Sequence, residues 1–163
     1  MDKFFVNWIK KINWVKVIYC GLIYTIIATI VHQIEAFFTM SYYIMPQYFG
    51  VWNKLMMPAS QASQGGPTSG PPPASFVITS VILTFVSGIS LALVYYYLRD
   101  ILPKDTKRRV LFFADLMIAL SFVFFTLPAY LLFNLPLCLL ISWFVSSFVI
   151  LCAASFTFVK IIK

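Results

Sequence analysis

Three ionisable side chains lie inside long apolar runs, and any chemistry of this chain must rest on them: His32, Glu35 and Asp115. A charged group at the bilayer centre costs about 2.5–3.5 kcal/mol on insertion scales, so residues of this kind are rarely idle. His32 and Glu35 are three apart on one helical face, where they can hydrogen-bond each other or meet one partner together. An imidazole and a carboxyl so placed are the minimum for a proton-coupled solute or ligand site. The same pair also serves as polar glue, tying the helix to whatever caps it. Asp115 lies past Arg109 by a distance of roughly 9 Å along a helix. There it can pair with Lys16, which enters the bilayer at a comparable depth, or reach a neighbouring hydroxyl. The alternative role for Asp115 is a proton or cation relay.

Metal and cofactor chemistry find little purchase. One histidine and one carboxylate on the same side cannot supply the four ligands of a zinc site. Met40, Met45, Met56 and Met57 with His32 are the soft donors that could hold Cu(I), although methionines beside aromatics ordinarily pack. Bis-histidine haem needs a second histidine. Cys20, Cys138 and Cys152 form no CxxC and no disulfide framework, and read as small buried hydrophobes. Neither Ser142 nor Ser146 sits in a GxSG context, and no glycine-rich phosphate loop is present. The expectation is therefore a non-enzymatic chain without metal or cofactor.

The elements that must position these residues are membrane spans. The chain has 163 residues, 61% of them hydrophobic and 10% charged, which is too apolar for a soluble domain of this size. A span needs about 20 apolar residues, and four runs qualify, at about 13–38, 75–98, 110–133 and 136–159. Sustained apolarity over such lengths excludes the alternating strands of a barrel. The fold class is all-α: one polytopic membrane domain over 1–163, an antiparallel bundle of four transmembrane helices. A basic N-terminal segment without a small-x-small cleavage site makes span 1 a retained anchor.

The net charge of +7 is explained by topology. Lys3, Lys10, Lys11 and Lys16 precede span 1, Arg99, Lys104, Lys107, Arg108 and Arg109 separate spans 2 and 3, and Lys160 and Lys163 follow span 4. Lys54 alone falls in the other compartment. This positive-inside pattern places both termini in the cytoplasm. The same clusters favour anionic lipid headgroups at that face and give nucleic acid no separate basic surface.

Residues 1–12 form an amphipathic helix on the inner leaflet, with Phe4, Phe5, Trp8, Ile9 and Ile12 opposite Lys3, Asn7, Lys10 and Lys11. In span 1, Trp14, Ile18, Gly21, Thr25, Ala28, His32, Glu35 and Thr39 recur in steps of four and three and make one seam. Small residues at its middle let another helix approach, and His32 and Glu35 fall towards its outer end. The outer loop, 39–74, begins with the aromatic stretch Tyr42–Met57, read as an interfacial helix. It continues with a flexible Pro/Gly/Ser linker over 58–73. Span 2 offers Ser80, Thr84, Ser87, Gly88 and Ala92 as a packing face. Span 3 carries Pro128, expected to kink or break it. Asn134, Leu135 and Pro136 join spans 3 and 4 in a tight hairpin, and span 4 offers Ser142, Ser146, Ser147, Ala153 and Ala154 for close packing.

The four-span plan with an acid in span 1 resembles the small multidrug resistance transporters in architecture. The resemblance implies proton-coupled transport through Glu35. It departs from that pattern in the outer position of Glu35 and in the long first outer loop. Residues 12–98 are also similar to small four-span prokaryotic membrane proteins. That likeness rests on Asn13-Trp14, His32-x-x-Glu35, Tyr42–Met57 and Gly70-Pro71-Pro72-Pro73, and implies no particular activity. The primary expectation is an accessory subunit or self-associating bundle, whose partners are the lipid bilayer and a membrane protein or second copy. A proton-coupled solute transporter using Glu35 and His32 is the alternative. An outer-face metal-handling protein or enzyme comes third.

Overall fold

A computed structural model describes residues 12–43, 74–133 and 135–162. The helix expected on the inner leaflet over 1–12, apart from Ile12, and the interfacial helix and linker expected over 42–57 and 58–73, apart from Tyr42 and Tyr43, lie outside the described residues. Five α-helices follow in order: α1 Trp14–Tyr43, α2 Ala74–Leu98, α3 Thr106–Ser121, α4 Leu127–Leu132 and α5 Leu137–Ile161, with a π-helical stretch, Phe122–Thr126, joining α3 to α4. No strand occurs among the described residues. Four helical segments are long and apolar enough to cross a membrane, the third being α3 through α4.

Helix ends are set by local chemistry. Asn13 Oδ1 accepts from Lys16 N at 3.2 Å and Asp105 Oδ2 from Arg108 N at 3.0 Å. Both satisfy orphan N–H groups at the starts of α1 and α3. Span 1 is longer than its apolar run suggests, for α1 continues past residue 38 to Tyr43 and spans about 45 Å. Pro128 does not end its helix. Having no N–H, it cannot bond the carbonyl of Phe124. The turn before it widens, so that Leu127 N donates to Phe122 O, and the helix then runs on to Leu132. π-bulges absorb such a lost bond without ending a helix.

The helices pack in the order α2–α1–α5–α3: α1 lies against α2 and α5, and α5 against α3. Packing is tightest at the end that carries Lys16, Arg99, Arg109 and Lys160, here called the basic end. Val17, Cys20, Ala92, Tyr95, Phe113, Met117, Ala154 and Phe158 make its buried core. Tyr95 meets Phe113 edge to face at 5.1 Å between ring centroids, and both rings lie 6.4 Å from Phe158. Each such pair contributes about 0.5–1.5 kcal/mol beyond its buried area. Tyr96 Oη accepts from Asn13 N at 3.2 Å, fastening the start of α1 to the end of α2, and the Arg99 guanidinium lies 4.4 Å over the Tyr96 ring. Arg109 Nε donates to Pro103 O at 2.8 Å and orders the turn between α2 and α3.

The α1–α2 crossing is made by two glycines. A Cβ on Gly21 would stand 2.9 Å from Ile89 Cγ1, and one on Gly88 would stand 2.8 Å from Tyr24 Cδ1. In lipid, where apolar surface alone does not drive helices together, such close approach supplies the packing. Beyond the crossing α2 leaves the bundle. Gly88 and Ala92 are buried, but Ser80 and Ser87 are exposed and Thr84 is half-buried. Only the half of the expected span 2 face nearer the basic end packs. Large apolar side chains such as Val15, Ile26, Phe37, Phe38, Ile82, Phe124 and Leu131 face outward. An exposed apolar surface of this extent suits hydrocarbon and not water.

Candidate ligand site around His32

The α1 seam is borne out in part. Gly21, Ala28, Glu35 and Thr39 are buried and Thr25 is half-buried, but His32 is exposed within the outer part, and at the start Trp14 and Ile18 are exposed while Val17 and Cys20 take their places in the core. The first turns of α1 are rotated towards the aromatic core, which fits apolar side chains better than the indole.

His32 and Glu35 share the seam without bonding each other. Glu35 is buried, at 8% exposure, and its carboxylate Oε1 lies 2.7 Å from Thr39 Oγ1. That hydroxyl is also 2.9 Å from the Glu35 carbonyl oxygen. His32 is exposed from the helix and lines two open cavities. The first, of about 340 Å³, lies between α1 and α2 and is walled by Thr79, Ser80, Thr84 and Ser87. The second, of about 430 Å³, is walled by Leu91 and Val94 of α2, Met117 and Leu120 of α3, and Ile150 and Leu151 of α5, with Ser121 and Ser147. Tyr24 and His32 line both. Pockets for small ligands span about 300–1,000 Å³.

Tyr24 is the residue that sequence reading missed. Its signal was available: Tyr24, Ala28 and His32 recur every four residues and therefore share a stripe. The contributions of Ser121 and Ser147 had no such signal, because they depend on how α3 and α5 are turned. Below the second cavity, Met117 passes into the aromatic core of Tyr95, Phe113 and Phe158. The space around His32 is thus closed towards the basic end.

Among the described residues no ion pair joins Lys16 to Asp115. Lys16 is half-buried in the first turn of α1 and Asp115 is exposed on α3. These helices pack on α5 and scarcely on each other, so the two side chains have no shared interface. The ion pair observed is Arg99 Nε with Asp100 Oδ1 at 3.4 Å, a surface contact of little energetic weight. Cys20 is buried, Cys138 exposed and Cys152 half-buried, all as free thiols. The described residues contain no cluster of three His, Cys, Asp or Glu side chains. Met40 is exposed on α1; Met45, Met56 and Met57 lie outside the described residues.

The fold defines an all-helical multi-pass membrane protein. No protein-family model matches the chain, and no curated protein and no solved structure matches it significantly.

Proposed function

We propose that this protein is a membrane carrier that binds a small solute from one side, at His32, in a bundle closed towards the cytoplasm. The observation that supports this most is the convergence of two cavities of different character on one imidazole, above an aromatic core that shuts the opposite end. With the basic end in the cytoplasm, as the positive-inside rule requires, the cavities face outward. His32 meets the solute, since an imidazole can donate, accept or carry a proton. Glu35, one helical turn beyond and held by Thr39, is the proton-exchanging partner. Opening the inner end requires separating Tyr95 from Phe113 and Phe158.

The test is reconstitution in liposomes with a trapped pH dye. Solutes that drive proton entry through the native chain should fail to do so through His32→Ala and Glu35→Gln variants that remain folded. Equal proton flux through native chain and variants would overturn the reading.

A second reading is favoured by α2, which packs on α1 and leaves most of its surface open. An edge helix of this kind suits an accessory subunit or a self-associating bundle. The mass of the gently solubilised native particle separates the two: a larger complex held through α2 supports assembly, and a monomer opposes it.

A further inference from the structure

The two chambers that meet at His32 differ in polarity and in position along the bundle. The groove between α1 and α2 is lined with hydroxyls, and two of these have already used their protons. Thr84 Oγ1 donates to Ser80 O at 2.8 Å and Ser87 Oγ donates to Leu83 O at 2.9 Å. A hydroxyl has one hydrogen and two acceptor lone pairs, so both present only acceptors to the groove. A ligand head that donates hydrogen bonds is the one that pairs with these two. The second chamber is walled chiefly by Leu91, Val94, Met117, Leu120, Ile150 and Leu151, and reaches from His32 down to the aromatic core. Its walls α2 and α3 meet through Tyr95 and Phe113 at the basic end and have no extended interface beyond that point, which leaves a side slot at the depth of the hydrocarbon. Polar space near the far end and apolar space towards the bilayer middle is the polarity order of one membrane leaflet.

We infer that the site around His32 takes a single-chain amphiphile of the outer leaflet, with a hydrogen-bond-donating head in the hydroxyl groove and its alkyl tail in the apolar chamber. The ligand enters sideways between α2 and α3. Tyr24 and His32 stand where head joins tail, because they are the residues common to both chambers. A hydrophilic solute would leave the apolar chamber wet; a hydrocarbon without a donor would leave the acceptors unpaired, a loss binding sites discriminate against.

This inference rests on the carrier reading and specifies its substrate class. The purified full chain in detergent is titrated with 1-monooleoylglycerol, with methyl oleate, which keeps the chain but has no donor, and with glycerol. Native mass spectrometry reads the adducts. Monooleoylglycerol should bind one per chain and about tenfold tighter than methyl oleate, the ratio one hydrogen bond supplies; glycerol should not bind. Leu120→Trp, which fills the apolar chamber, should abolish binding, and Thr84→Val should erase the preference over methyl oleate. Circular dichroism confirms that each variant is folded. Equal affinity for the two oleates, or unchanged binding to folded Leu120→Trp, overturns the inference. If monooleoylglycerol does not bind while His32-dependent proton flux with another solute persists, the substrate class is wrong and the carrier reading stands. Loss of both removes both.

Discussion

Gly88 of α2 lies directly against the Tyr24 ring of α1, so closely that an added Cβ would stand 2.8 Å from Cδ1 and 2.9 Å from Cβ of the tyrosine. The tyrosine cannot yield at its tip, because the conflict is at the base of its side chain. Gly88→Ala should therefore push the helices apart, with a loss of about 1–3 kcal/mol as for other overpacked sites. Thermal unfolding in detergent measures this, and an unchanged melting temperature would refute the close approach. Because Tyr24 lines both cavities, the same variant should weaken ligand binding at His32 without altering any cavity hydroxyl.

Thr39 offers one hydroxyl hydrogen to two oxygens of Glu35, the carboxylate at 2.7 Å and the carbonyl at 2.9 Å. An amide at position 35 could donate to Thr39 Oγ1 and free its hydrogen for the carbonyl. Glu35→Gln should leave stability unchanged or raised. Glu35→Ala should lower it by about 1–3 kcal/mol by opening a gap where the buried carboxylate and its bond to Thr39 were, the Thr39 hydroxyl keeping the carbonyl of residue 35. A glutamine variant as unstable as the alanine variant would disprove this proton accounting.

Tyr95 is fully buried, and its Oη forms no hydrogen bond of good geometry among the described residues, although the Arg109 guanidinium stands beside it. The ring packs against Phe113 and Phe158. Removing the hydroxyl and keeping the ring should cost nothing, so Tyr95→Phe is expected to match or exceed the native chain in thermal stability. Phe158→Ala should cost about 3–5 kcal/mol and, in liposomes, allow solute leakage from the cytoplasmic side. A stable, tight Phe158→Ala protein would mean that these rings are not the inner seal.

Cys138 and Cys20 provide a built-in test of orientation. Cys138 is exposed near the start of α5, at the end opposite the basic residues, and Cys20 is buried in the core. With the basic end in the cytoplasm, a membrane-impermeant maleimide applied to intact cells should label Cys138 and spare Cys20. Tags at Met1 and Lys163 should be shielded from outside. Labelling of the terminal tags would reverse the topology and place the His32 cavities on the cytoplasmic face.

Four spans, their antiparallel succession and the basic clusters at one end were legible in the amino-acid order, because crossing a bilayer is a matter of the length and apolarity of each segment taken alone. The α1 seam was legible too, through Gly21, Ala28, Glu35 and Thr39, since a helical stripe follows from spacing. What one helix presents to another was not. Lys16 and Asp115 looked like partners by depth, but α5 lies between their helices. His32 and Glu35 looked like a pair by spacing, but Glu35 bonds Thr39 and His32 faces the cavities. Ser80, Thr84 and Ser87 read as a packing face continuous with Gly88, and only the splay of α2 turned them into a groove wall. Pro128 read as a kink or break; the helix does not break there, because the π-helical turn before it absorbs the missing bond. Depth and polarity are properties of single segments and are written in the residues. Which faces meet is decided by how four helices close around two glycines and three aromatic rings, and that exists only in the folded molecule.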